Sequence, residues 1–309
     1  MVKSKVYFTK EITPASLVRI FEKLGVDLPG KVGVKISTGE PGGHNYLKPE
    51  LIKELVQKVN GTIVECNTAY EGGRNGTEQH LQAARDHGFT AIAEVDIMDA
   101  DGDIEIPIKD GRLLEVDIVG KHMNDYDSFI NLAHFKGHQM GGFGGVLKNQ
   151  SIGFASSVGK TYIHTAGKSR DLEQFYRCFD SAENMAAMLP EQDDFLEAMA
   201  ESAKAVADYM AEKSTNGEPR IAYIDVMNNL SIDCDCSAHP EDPCMKDIGI
   251  LASLDPVALD QAAIDLIWQS DDPGRDHFVE RVERQHGRYI LECAEHLGLG
   301  SREYDLEEI

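Results

Sequence analysis

The sequence is poor in basic residues: 30 lysines and arginines stand against 53 aspartates and glutamates, which gives a formal charge of -23 at pH 7. A protein this acidic repels the phosphate backbone of nucleic acids and the anionic surface of membranes. We therefore predict that it binds neither nucleic acid nor a membrane. A local basic pocket can still hold an acidic small molecule, and the candidates for its walls are Arg74, Lys136, Lys148 and Lys168.

Long apolar runs are also missing. No stretch of the sequence approaches the ~20 consecutive apolar residues that a membrane-spanning helix needs. The N-terminal residues lack the apolar segment and the small-residue cleavage site of a secretory leader. We therefore expect a cytoplasmic protein.

Cysteines are few, six in 309 residues, and they are too scattered for the disulfide framework of small secreted domains. Three of them nevertheless lie close together, at Cys234, Cys236 and Cys244, in a polar loop rich in proline. Two cysteines separated by one residue on an extended segment point to the same side, so both sulfurs reach one ion. With His239 or Asp247 as a further ligand, the loop favours a zinc, iron-sulfur or nickel site. The alternative is a set of loop thiols without a ligand.

Strand-like apolar runs and amphipathic helical patterns alternate along the chain. This alternation predicts an α/β fold with a mainly parallel sheet and flanking helices. Two alternating runs about Asp110 and Gly111 predict an inserted β-hairpin. We predict an α/β domain over residues 1–168, with a glycine-rich ligand loop. Residues 169–309 would form a helical segment plus an α/β portion with the cysteine cluster, and one continuous domain is the alternative.

The segment from His134 to Phe154 has the composition of a ligand site, because it contains histidines, lysines and six glycines. Glycines let a ligand approach the backbone and permit positive φ where the chain bends. His138 and Lys148 flank the loop, and they offer a proton-transfer group and a cation or nucleophile. The glycines of the loop that we expect to bind a cofactor are Gly142, Gly144 and Gly145.

A later histidine, His164, completes a possible constellation with His138 and Lys148. The loop from Asn67 to Thr77 follows a predicted strand and adds Tyr70 and Arg74, as expected where an open α/β sheet binds ligands. A phosphate-binding loop of the GxxxxGK[ST] type is absent. The alternative is that these histidines and the lysine are exposed surface residues.

Five phrases, GEPGGHNYLKPE, NTAYEGGRNGTEQHL, HFKGHQMGGFGGVLKN, CDC and DIGILASLDPVALDQAAIDL, resemble the bacterial family catalogued as domain of unknown function three-six-two. Its members are often labelled iron-sulfur centre proteins, so the resemblance implies such a cluster. Many members carry a C-x2-C-x2-C-x3-C-P insert, whereas the corresponding region here holds only Cys178. The resemblance therefore leaves Cys234, Cys236 and Cys244 to hold a cluster or metal.

His138, the loop from Gly142 to Gly145, Lys148 and His164 are similar in type and spacing to a motif of the nickel-pincer lactate racemases. This more distant resemblance implies that Lys148 tethers a nucleotide-derived cofactor, that His164 ligates nickel and that His138 is an acid/base. Those racemases have a second histidine on an earlier loop, where Tyr70 stands in this chain.

We interpret the sequence as a metal-dependent enzyme that performs redox or isomerase chemistry on a small anionic or hydroxylated substrate. The competing hypothesis is a non-catalytic iron-sulfur or metal carrier with a redox partner. The oligomeric state is open. The catalytic candidates are His138, Lys148 and Tyr70; the cofactor-binding candidates are Lys148, Gly142, Gly144, Gly145 and Arg74; and the metal candidates are Cys234, Cys236, Cys244 and His164.

Overall fold

The computed structural model describes residues 3–309, in which strands and helices alternate. The strands are β1 (Ser4–Thr9), β2 (Val32–Lys35), β3 (Thr62–Glu65), β4 (Val95–Ile97), β5 (Asp103–Pro107), β6 (Val116–Gly120), β7 (Ser128–His134), β8 (Lys136–His138), β9 (Gly142–Gly144), β10 (Ile221–Met227), β11 (Gly249–Ser253) and β12 (Tyr304–Glu308). The helices are α1 (Pro14–Lys23), α2 (Pro49–Lys58), α3 (Thr77–Asp86), α4 (Val146–Phe154), α5 (Ser157–His164), α6 (Leu172–Cys178), α7 (Ala182–Met188), α8 (Gln192–Glu212), α9 (Pro256–Gln269), α10 (Arg275–Arg284) and α11 (Tyr289–His296).

The mainly parallel sheet predicted from the sequence is confirmed. Its eight strands lie in the order β12-β1-β11-β10-β7-β2-β3-β4. Strand β11 is antiparallel to both β1 and β10, and the other neighbouring pairs are parallel. The pairing of β10 with β7 joins segments from either side of residue 168 within one sheet. The division of the chain at residue 168 stays a prediction.

Helices cover both faces of the sheet, so its central strands are buried on both sides. In β7, Phe129 belongs to one hydrophobic core and Ile130 to the other. The core around Ile130 is completed by apolar residues of α1 and α2, and the core around Phe129 by those of α4, α8 and α9. Burial on both faces explains why the segment FINLA is apolar on both sides except at Asn131, a pattern typical of parallel sheets. No helix within residues 3–309 has both the length and the apolar composition to cross a membrane.

Local sequence signals position several elements as expected. The inserted hairpin is confirmed, because β5 pairs with β6 in antiparallel register from Asp103 opposite Gly120 onward. Its loop contains Asp110 with a φ of 61°, a conformation that aspartate tolerates better than most residues. Asp255 caps α9 by accepting hydrogen bonds from two backbone amides of the first turn. These short-range rules fix where elements begin and end before any long-range contact forms.

Candidate functional site

Four loops meet at one edge of the sheet because the strands that carry them are parallel. These strands are β2, β3, β7 and β10, and their carboxyl ends lie side by side. The loop after β7 forms the two-stranded ribbon of β8 and β9, and the loop after β10 contains Cys234 and Cys236. The carboxyl edge is where open α/β sheets bind ligands.

A cavity of about 310 Å³ opens where these loops meet, which is the size of a small-molecule site. Most of the side chains predicted for the site line it, and they carry both cationic and sulfur groups. The cations are Lys35, Arg74, Lys136, Lys148 and Lys160; the thiols are Cys66, Cys234 and Cys236; and the imidazoles are His138 and His164. The cavity therefore combines a positive charge with soft donor atoms inside a strongly acidic protein.

The cysteine loop and the His138 loop form one combined site. Potential ligand atoms of His138, Cys234 and Cys236 all lie within 4.8 Å of one another. The Nζ atom of Lys148 donates a hydrogen bond to the Sγ of Cys234 at 3.7 Å. The sequence could not place these groups together, because nearly a hundred residues separate them.

The two neighbouring thiols differ in charge state. A hydrogen bond from Cys236 is the largest influence on Cys234, and together with Lys148 and His138 it holds the pKa of Cys234 well below its usual value, although burial opposes this. The same interaction raises the pKa of Cys236. Of the two, Cys234 is the one whose thiolate form the surroundings favour. A thiolate is the form that attacks electrophiles or binds metals.

The cysteines lie on a turn rather than on the extended segment predicted from the sequence. The backbone amide of Cys236 donates to the Sγ of Cys234 at 3.4 Å, and that of Ser237 donates to the carbonyl of Cys234 at 2.9 Å. The turn still brings both sulfurs to the cavity. The two side chains converge as expected, but a turn brings them together instead of an extended segment.

Cys244 does not join this group, which corrects the predicted three-cysteine cluster. Its thiol donates to the carbonyl of Leu230 at 3.3 Å, and its backbone amide donates to the same oxygen at 2.9 Å. Both bonds anchor Cys244 at the base of the loop, away from the turn that carries Cys234. His239 is exposed, and Asp247 accepts from the amide of Asn229, so neither completes the site.

The hydrogen-bond partners of His138 assign its tautomer. Its Nδ1 accepts hydrogen bonds from the backbone amides of Met140 at 3.2 Å and Gly141 at 2.8 Å. A neutral ring that accepts at Nδ1 carries its proton at Nε2. Burial lowers the pKa of His138 to about 4, with Lys148 acting in the same direction. His138 is therefore neutral near pH 7 and offers an N–H rather than a lone pair.

His164 has the opposite tautomer. Its Nδ1 lies 2.6 Å from the carbonyl oxygen of Lys160, which can only accept, so Nδ1 carries the proton and Nε2 has the free lone pair. Desolvation lowers the pKa of His164 to about 3. The ring stacks on Phe195 with centroids 5.1 Å apart, which fixes its orientation. A histidine that donates Nδ1–H to a carbonyl is the usual form of a metal ligand.

Tyr70 and Arg74 belong to a buried ionic network at the cavity wall. The Tyr70 hydroxyl donates to Glu40 at 2.9 Å, and Arg74 donates to Glu40 at 3.1 Å and to Glu65 at 3.3 Å. Burial raises the pKa of Tyr70 well above its usual value, so the phenol stays protonated. The charge of Arg74 is matched by two carboxylates, which gives it a structural role in the wall.

The three loop glycines have different surroundings. Gly144 and Gly145 line the cavity, whereas Gly142 is in contact with another part of the chain. Gly142 has a φ of +79°, and a Cβ there would lie 2.9 Å from the backbone of Gly287. This position needs glycine for chain conformation and packing, which corrects its predicted role in cofactor binding.

Two lysines of the cavity were missed by the sequence interpretation. Lys35 ends a buried strand and Lys160 lies in α5, whereas the predicted Lys168 is exposed and donates to the carbonyl of Leu189 at 3.4 Å. The one signal in the sequence that could have identified Lys35 was the presence of a lysine in the otherwise apolar segment VGVK. A charged residue at the end of a buried strand indicates a position at the edge of the sheet.

Comparisons with known proteins agree with the resemblance seen in the sequence. A family model described as a domain of unknown function, DUF362, matches residues 32–265. No curated protein matches the chain. A solved structure of the lactate racemase apoprotein from Thermoanaerobacterium thermosaccharolyticum is similar over 84% of this chain and 56% of its own, with 13% identity and a TM-score of 0.46.

A protein from Thermotoga maritima is similar over 92% of this chain and 58% of its own, with 11% identity and a TM-score of 0.39. The chain thus spans little more than half the length of either of these proteins. The family model, in contrast, covers most of the chain. By that match, this protein belongs to the DUF362 family.

Proposed function

We propose that this protein is a metal-dependent enzyme that performs redox or isomerase chemistry on a small anionic substrate bound in the cavity. One observation carries the proposal: the sulfurs of Cys234 and Cys236 share the cavity with two histidines of opposite tautomer. One imidazole offers a lone pair and the other a proton. A metal site next to a hydrogen-bond donor is the arrangement that such chemistry requires.

The donor atoms suit a soft transition metal. Cys234 and Cys236 would supply thiolate ligands, with Cys236 losing its proton on binding, and this pair fits iron-sulfur, nickel or zinc. His164 lines the same cavity with a free Nε2 but lies outside the group of donor atoms within 4.8 Å of one another, so it would ligate from farther along the wall. A bound metal would provide electron transfer or Lewis-acid activation. His138 does not fit as a ligand, because its Nδ1 is occupied by two backbone amides and its Nε2 carries the proton.

The remaining side chains bind the substrate. The Nε2–H of the neutral His138 would donate a hydrogen bond to the substrate oxygen on which negative charge develops, and His138 keeps its proton throughout. Lys148 binds an anionic group of the substrate or cofactor beside Cys234. The Tyr70 hydroxyl donates its one proton to Glu40 and accepts from Arg74, so it closes the wall of the cavity.

A non-catalytic metal or iron-sulfur carrier is the second candidate, favoured by the proximity of the Cys234 and Cys236 sulfurs at the cavity. A carrier needs the thiols but has no use for the proton of His138 or the cation of Lys148. Electrons or metal would then pass to a redox partner. The two candidates therefore differ in which substitutions they tolerate.

The test is metal content of protein purified without oxygen, with an absorption spectrum and an intact mass that would detect an adduct on Lys148. We expect stoichiometric metal in the wild type and in Cys244→Ser, the matched control outside the cluster. The double substitution Cys234→Ser and Cys236→Ser should lose it. Metal retained by the double variant, or no metal in the wild type, would contradict the proposal.

Activity assays on the metal-loaded protein separate the enzyme from the carrier. For an enzyme, His138→Gln should keep the metal and lower turnover by about 100-fold or more, since a hydrogen-bond donor aimed at developing negative charge contributes about that much. For a carrier, His138→Gln and Lys148→Ala should leave metal content and electron transfer unchanged.

A further inference from the structure

Two lysines in the cavity wall, Lys35 and Lys160, form what we call the lysine pair. Their exposed fractions are 2% and 7%. Glu65 and Cys66 lie near enough to both lysines to interact with them electrostatically. Gly153 leaves room for the Lys35 ammonium, because a Cβ at that position would lie 2.9 Å from Nζ. The lysine pair is therefore held at the cavity rather than at the outer surface.

Every other cation of the cavity has a negatively charged neighbour. Arg74 contacts Glu40 and Glu65 at 3.1 and 3.3 Å, Lys136 contacts Asp235 at 3.1 Å, and Lys148 contacts the Sγ of Cys234 at 3.7 Å. These charges are neutralised by the protein itself.

The lysine pair lacks such partners. Among residues 3–309, no carboxylate oxygen lies within 4.0 Å of either Nζ atom. Lys35 donates to the carbonyl of Ile36 at 2.6 Å and to the side-chain oxygen of Asn149 at 3.2 Å. Lys160 donates to the carbonyl of Ala155 at 2.6 Å. Since each ammonium has three N–H donors, both lysines keep donors free to bind a ligand.

Two unmatched ammonium groups in a low-dielectric wall are unfavourable. Burial lowers the pKa of Lys35 to about 8. An oxyanion bound between them would replace lost solvation with charge-assisted hydrogen bonds. Glu65 does not serve this purpose, because it is already engaged by Arg74 and by the backbone amide of Thr38. Asp99, which also acts on Lys160, is engaged by the backbone amides of Asn67 and Ser157.

We propose that Lys35 and Lys160 form a subsite for an anionic oxygen group, a phosphate or a carboxylate, of the ligand that occupies the cavity. The inference rests on the proposed function in one respect, which is that the other end of this ligand reaches Cys234 and His138. The ligand is then bifunctional, with an anchoring anionic group at the lysine pair and its reactive part at the thiols. Phosphate and carboxylate share this recognition chemistry and differ in oxygen number and charge.

Calorimetric titration of the metal-free full chain with inorganic phosphate and with acetate, at constant ionic strength in chloride, tests the subsite. We expect saturable binding of at least one anion, weakened at least tenfold by Lys35→Met and by Lys160→Met. The control is Lys168→Met, which removes an exposed lysine with the same charge and should bind like the wild type. A preference for phosphate or for acetate identifies the anionic group.

Thermal unfolding shows whether the variants fold. Lys35→Met and Lys160→Met remove unmatched buried charges, so without anion they should melt at or above the wild-type temperature, and added anion should no longer raise it. If Lys35→Met fails to fold, Lys160→Gln gives the same test. The proposal is overturned if neither anion binds the wild type saturably, or if folded lysine variants bind as the wild type does.

The cysteine variants keep this test separate from the test of the metal. The double substitution Cys234→Ser and Cys236→Ser should still bind the anion. If the protein binds the anion but never holds metal, the proposed function is contradicted and the subsite is supported. If it binds metal but not the anion, the subsite is contradicted and the proposed function stands.

Discussion

At the scale of single residues, two buried carboxyl groups show how neighbours decide a charge state. Burial alone would raise the pKa of Glu65, but Arg74 and His80 outweigh it and hold that pKa well below its usual range. Asp117 is fully buried with one hydroxyl donor, Ser202 at 2.8 Å, and one oxygen without a partner. Burial raises the pKa of Asp117 to about 7.

The raised pKa of Asp117 makes the stability of the protein depend on pH. An acid whose pKa is higher in the folded state costs nothing below its unfolded pKa, and its full cost appears above its folded pKa. The penalty should therefore grow between pH 4 and pH 7. Asp117→Asn should raise the free energy of unfolding at pH 8 by up to about 4 kcal/mol, with a gain that fades toward pH 4.

Denaturant unfolding of both proteins at several pH values measures this gain. Asp110→Asn is the control, because Asp110 is exposed on the same hairpin and should leave the pH profile unchanged. An equal effect of Asp117→Asn at pH 4 and pH 8 would show that charge is not the cause.

At the scale of elements, the start of α4 decides where Lys148 lies. The carboxylate of Asp260 accepts hydrogen bonds from the backbone amides of Val146 at 2.9 Å and Leu147 at 3.0 Å. It thereby satisfies two of the free N–H groups of the first turn. This contact joins α9 to α4 and fixes the helix that carries Lys148 to the cavity.

Gly145 is needed for this contact. A Cβ at Gly145 would overlap the Asp260 carboxylate, whereas a Cβ at Gly144 would meet only flexible atoms of Lys148 and Lys136, at 3.1 and 3.7 Å. We expect Gly145→Ala to lower the free energy of unfolding by about 2 kcal/mol, as overpacking in a core does. Gly144→Ala should keep the stability and narrow the cavity. Equal stability of the two variants in denaturant unfolding would contradict this role of Gly145.

At the scale of the whole molecule, the sheet connects the two halves of the chain. Strand β7 pairs with β10, and β1 lies between β11 and β12. Residues 1–168 alone would therefore expose the edges of β7 and β1 together with the apolar residues that α8 and α9 cover. The pairing favours one continuous domain over two.

Calorimetry of the full chain and expression of residues 1–168 test this preference. We expect one cooperative transition, with equal calorimetric and van't Hoff enthalpies, and a fragment that aggregates or stays unfolded. Two separate transitions, or a folded soluble fragment, would support the boundary at residue 168.

Much of the fold could be predicted because its signals are local. The hairpin about Asp110, the cap at Asp255 and the strand before His134 each depend on a few neighbouring residues. The structure brings together only some of the residues predicted for the site, because which distant residues are close in space does not follow from the local sequence. Cys244 is eight positions from Cys236 yet outside the cluster, whereas His138 is nearly a hundred residues away and inside it.

The sequence by itself determined the alternation of strands and helices, the acidic surface and the residue types of the glycine-rich segment, because composition and periodicity are properties of the chain. Only the tertiary structure decided that Lys35 and Lys160 face the cavity and that Lys168 does not. It also decided the tautomers of His138 and His164, since each depends on which backbone group lies beside Nδ1. Parallel strands bring distant loops to one edge of the sheet, and the contacts made there set the charge and the protonation of the side chains around the cavity.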